Sequence, residues 1–139
     1  MKRLHILQNL FFLLAAFCCT HTLSAQSGAE DSCKVFPRFA ASLEGIQAKG
    51  MLPVEDLAKV KKLKPDESGV TILRFTYLID CGEDCELQQK TVYGDTFSEE
   101  DIKAIQAMKS RNVLSFECIL GKDKAGTLVA FKPFLFYIR

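Results

Sequence analysis

The run Val70-Thr71-Ile72-Leu73-Arg74-Phe75-Thr76-Tyr77-Leu78-Ile79-Asp80 decides the fold. It is crowded with β-branched and aromatic side chains, which pack well on a pleated, half-buried surface. Leu73, Phe75, Tyr77 and Ile79 fall on one face at period two. Ile72, Arg74, Thr76 and Leu78 share the other, a mixed set that implies partial burial. Residues 70–80 therefore read as a strand.

Downstream, residues 81–85 form a tight loop, and residues 86–93 return as a strand polar enough to stand at an edge. Residues 97–109 carry the marks of a helix. Ser98 can cap it, Asp101 can complete a capping box, and Phe97 with Ile102 can form a hydrophobic staple. Glu99, Glu100 and Asp101 suit the positive end of the dipole and Lys109 the negative end. Ile102, Ile105 and Met108 make one apolar stripe, expected to pack on a sheet. Asn112 is the expected left-handed stop.

Residues 113–120 alternate again, with Leu114, Phe116, Cys118 and Leu120 on one face. A turn at 121–126 follows. Pro133 cannot hold a central ladder position, so residues 127–139 are expected to form two short strands. Upstream, residues 65–69 are a turn, and residues 54–63 a short helix or irregular segment with Leu57, Val60 and Leu63 inward. Residues 45–53 are expected to be a loop. Residues 33–43 read as a first strand interrupted by Pro37. Together these elements predict one mainly β, antiparallel domain over residues 33–139, with one short α-helix on it.

The N-terminus has the layout of a secretory signal. Lys2 and Arg3 precede an apolar run at residues 10–19, and Leu23-Ser24-Ala25 offers a cut after Ala25. That run is about half the ~20 residues a bilayer span requires. Residues 26–32 then form a polar, flexible leader. Acylation is disfavoured, because Phe17 rather than a small residue precedes Cys18. The expected location is periplasmic or secreted.

Both histidines, His5 and His21, lie in the signal, and the chain has no tryptophan. A mature chain without imidazole excludes histidine-dependent triads and Cys-His dyads. The net charge of +1 becomes −1 once Lys2 and Arg3 are removed. That balance makes no case for a nucleic-acid partner. The basic run Lys59, Lys61, Lys62 and Lys64 reads as a solvated face, with a docking patch as the alternative. Residues 45–50 lack the Lys-Ser/Thr ending of a phosphate loop. The adjacent pairs Glu83–Asp84 and Glu99–Glu100 read as solvent-facing or dipole-complementing. Nor do Glu83, Asp84 and Glu86 have the spacing of a calcium loop. No cofactor, metal or small-molecule substrate is expected.

Cys33, Cys81, Cys85 and Cys118 remain after the signal, an even number in an oxidising compartment. Cys81 and Cys85 flank a three-residue hairpin loop and are expected to pair, leaving Cys33 with Cys118. A four-cysteine zinc site is the structural alternative. A redox-active Cys81/Cys85 pair is the one enzyme reading left, and it lacks the Cys-x-x-Cys spacing that lowers a thiol pKa.

Gly94, Phe97-Ser98, Glu100, Ile105, Lys109, Phe116-Glu117-Cys118-Ile119, Gly126 and Pro133-Phe134-Leu135-Phe136 follow a recognisable order and spacing. Over residues 94–139 the chain resembles the C-terminal domain of the gliding-motility and type IX secretion protein GldM. The resemblance implies a β-sandwich-like module acting by protein–protein contact, with no catalytic positions to transfer. It also departs from the pattern: Arg111 stands where that family has a glycine, and the four cysteines are not part of it.

The terminal strand is the expected contact surface. Phe134, Phe136 and Ile138 share the face that enters the core. Leu135 and Tyr137 share the other, which a lone sandwich would leave wet; the alternative is that a loop or the leader covers it. The expected function is an exported, non-catalytic interaction or scaffold module. Its partner would be a periplasmic or outer-membrane-associated protein, or a second copy in a homo-oligomer. The alternative is a thiol-active exported enzyme or redox chaperone using Cys81 and Cys85.

Overall fold

A computed structural model describes residues 35–47 and 49–139. The expected signal and leader, and Cys33, lie outside the described residues. The architecture is mainly β with one short α-helix, as expected. The strands are β1 (Pro37–Phe39), β2 (Ala41–Leu43), β3 (Gly50–Leu52), β4 (Leu63–Pro65), β5 (Thr71–Asp80), β6 (Gln88–Tyr93), β7 (Val113–Lys122), β8 (Leu128–Phe131) and β9 (Phe134–Ile138). The helix α1 spans Glu99–Gln106.

β5 and β7 are the two long strands, and they pair antiparallel at the centre of the main sheet. β6 closes one side as an edge strand, in keeping with its polar sequence. The other edge of β7 is shared. Its first half pairs with β9 and its second half with β8. Pro133 lies between those two strands and separates them, as its missing N–H requires. Each then takes a short parallel partner from the N-terminal part of the chain, β1 on β8 and β3 on β9. β2 and β4 form a separate antiparallel pair.

Within the sheet, expectations change at three places. The segment 45–53 is not all loop, since Gly50–Leu52 pairs with β9 in the main sheet. The inward face of β5 carries Ile72 rather than Leu73: Ile72 is buried and Leu73 is 37% exposed. Leu73 is an extra residue between the Ile72–Gly121 and Arg74–Leu120 pairs, so alternation slips by one there. β7 bulges in the same region. Cys118 and Ile119 lie between the partners of Thr76 and Arg74, where β5 has Phe75 alone, and Cys118 takes φ 48°. Ile119 consequently enters the core where Cys118 was expected.

Phe75, Tyr77, Ile79, Leu114, Phe116, Ile119, Phe136 and Ile138 supply the sheet side of the core. Opposite them sit Leu43, Leu57, Val60, Leu63, Phe97 and Ile105. The segment 54–63 contains a 3-10 helix, Val54–Lys59, whose Leu57 is buried. Phe97 meets Phe75 and Tyr77 edge-on, at ring separations of 5.1 and 5.7 Å. Ile105 and Met108 are buried and Ile102 is packed at their side, so the expected stripe does face inward.

Candidate functional site

The capping box of α1 forms as its sequence implies. Asp101 N–H donates to Ser98 Oγ at 3.2 Å, and Ser98 N–H donates to Asp101 Oδ2 at 2.9 Å. The same carboxylate reaches further. Tyr77 on β5 donates its hydroxyl to Asp101 Oδ1 at 2.9 Å, and Lys90 on β6 approaches the same oxygen at 2.7 Å. Asp101 is 3% exposed. Burial alone would raise its pKa, but hydrogen bonds from Lys90, Ser98 and Tyr77 outweigh burial and hold it down to about 2. Tyr77 is pushed well above its ordinary value by burial and by donation to that carboxylate. This cluster ties the helix to two strands and leaves no acid or base poised near neutral pH.

With α1 and the small β2–β4 pair on the inner side, no described element covers the outer face of the sheet around β9. Residues paired across strands share a face, so the register draws this surface directly. One row runs Met51, Tyr137, Val113, Asp80 across β3, β9, β7 and β5. The next runs Leu135, Ser115, Leu78, Gln89 across β9, β7, β5 and β6. Met51 is 51% exposed, Leu135 40% and Tyr137 55%; Val113 and Leu78 are half-buried. Leu135 and Tyr137 thus stand where the alternation of β9 predicts. Met51 and Val113 extend the patch, and sequence reasoning missed both. Val113 was legible as the neighbour of Leu114 on the non-core face of β7. Met51 had no local signal, because its strand is only three residues long.

The patch lies between opposite charges. On the β3–β9 side, exposed Lys49 precedes β3, and exposed Arg139 donates its backbone N–H to Leu52 O at 3.1 Å. On the other side Asp80 ends β5, and Glu83, Asp84 and Glu86 are exposed in the β5–β6 hairpin. Neither Lys49 nor Arg139 has an ion-pair partner among the described residues, and the same holds for those hairpin acids.

Cys81 and Cys85 form the expected disulfide, with α-carbons 5.4 Å apart, across a 3-10 turn at Gly82–Asp84. Cys118 is also disulfide-bonded; the Cys33 end of the expected long bridge lies outside the described residues. Two of the four clustered lysines are in ion pairs, Lys59 with Asp56 at 2.6 Å and Lys62 with Glu44 at 3.3 Å. Among the described residues no group of three or more His, Cys, Asp or Glu side chains could hold a metal ion. No helix among them is long and apolar enough to cross a membrane. No protein-family profile matches the chain, and no curated protein matches it in sequence.

Proposed function

We propose that this protein is an exported, non-catalytic protein–protein interaction module whose contact surface is the outer face around Leu135 and Tyr137. One observation carries the reading. Two large apolar side chains on the terminal strand stay open to solvent and continue into Met51 and Val113 on the strands to either side. Scattered exposed apolar residues need no explanation, but a continuous patch with a charged rim is the form of an interaction site. The resemblance to the GldM terminal domain points the same way. It suggests a periplasmic or outer-membrane-associated partner, within a secretion or gliding apparatus.

The thiol-active alternative has less in its favour. The Cys81–Cys85 pair stands among Asp80, Glu83, Asp84 and Glu86, and clustered carboxylates oppose formation of the thiolate that redox exchange needs. Thiol labelling under native conditions separates the readings: a structural bridge stays unlabelled, whereas a redox pair cycles. The interaction reading is tested by Leu135→Ser/Tyr137→Ser. The double variant should keep its circular dichroism and lose a partner captured by the tagged wild type from its own cells. Undiminished capture by a well-folded double variant overturns the reading.

A further inference from the structure

We infer that the occupant of the outer face is a second copy of this chain, joined across a twofold axis that runs along β7. The inference rests on the reading of that face as an interaction surface and adds the identity of what covers it. The charge layout argues for it. Lys49 and Arg139 border the patch on the β3–β9 side, and Asp80, Glu83 and Asp84 border it on the β5–β6 side. Lys49, before β3, lies three strand spacings from β5, about 14 Å, and Arg139, which continues β9, lies two, about 10 Å. Both exceed a Debye length of roughly 8 Å at physiological salt, so the two borders are largely screened from each other within one copy.

A twofold axis along the central strand exchanges the two borders. It sets the Lys49–Arg139 side of each copy over the Asp80–Asp84 side of the other. Because the operation is reciprocal, the contact forms twice and closes on itself. Tyr137, Leu135, Val113 and Leu78 occupy the middle, where aligned sheets packing ~10 Å apart need apolar side chains. No foreign partner is required for this complementarity; the chain carries both halves.

Sedimentation velocity on protein purified from an exporting host tests the inference. A dimer is expected at low salt, with Kd weakening at least about tenfold as salt rises from about 50 mM to about 500 mM. Lys49→Glu/Arg139→Glu and Glu83→Lys/Asp84→Lys should each be monomeric while keeping wild-type circular dichroism. Mixed in equal amounts, they should form a heterodimer, because each then supplies the border the other lacks. A monomeric wild type at ~100 µM, or single-border variants that dimerise like wild type, overturns the inference. Failure here is separable from failure of the interaction reading. A monomeric protein whose Leu135→Ser/Tyr137→Ser variant loses a captured foreign partner sinks self-association alone. A dimer that charge reversal dissociates, with no foreign partner captured, supports self-association.

Discussion

Asp101 is the residue on which most local structure converges, and its pH behaviour can be stated with a sign. Its folded pKa of about 2 lies below the unfolded value near 3.9. The stabilisation is therefore complete above about pH 4 and is lost as pH falls through about 2. By linkage it amounts to about 2 kcal/mol. Asp101→Asn should cost roughly that much at pH 7 and flatten the dependence of stability on pH between about 4 and 2, read by urea titration at a series of pH values. Arg111 makes the opposite case. It has φ 76°, and it rather than Asn112 is the left-handed residue after the helix. Asn112 is instead buried, accepting a hydrogen bond from Lys109 N–H at 2.6 Å through Oδ1. A side chain pays for that backbone geometry, so Arg111→Gly should raise stability by up to about 1 kcal/mol. The capping role of Asp101 was legible because Ser98 lies three residues away. Its bonds to Tyr77 and Lys90 were not, because they depend on strands that only the fold brings near.

Elements with local causes were the readable ones. α1, β5, β7 and the break at Pro133 follow from caps, alternation and a missing donor. β3 was unreadable because Gly50–Leu52 owes its extended form to β9, far along the chain. Both bulges were hidden too, since Leu73 and Cys118 fit an unbroken alternation and only the pairing shows otherwise. Near them Gly121 is buried opposite Ile72, and an added Cβ there would overlap the Thr71 carbonyl oxygen and the Phe131 ring. Gly121→Ala should cost about 2 kcal/mol, within the range for overpacked interiors, as a lowered denaturation midpoint. The Cys81–Cys85 bridge closes a very short loop, so Cys81→Ser/Cys85→Ser should cost about 2 kcal/mol by loop entropy. Capture through the outer face should survive that change, which would set the bridge apart from function.

At the scale of the whole molecule, the outer face was half legible. β9 announced Leu135 and Tyr137 through its alternation, while Met51 and the two charged borders needed the sheet order to be seen together. Added salt should therefore weaken association through this face more than it affects folding, because the charged borders are exposed and the core is not. A comparison of sedimentation and thermal melts across one salt series checks this. The shared edge of β7 has a consequence of another kind, in time rather than energy. β1 and β3 come early in the chain, yet their ladder partners β8 and β9 come last. A chain emerging from its N-terminus must hold those early strands unpaired until residues 128–138 arrive. The side of the sheet beyond β7 is thus deferred to the final stretch, and such long-range pairing is slow, on the order of milliseconds to seconds. The proposed export would thread the chain unfolded across a membrane, and a sheet edge that cannot close until its last strands arrive suits that proposal.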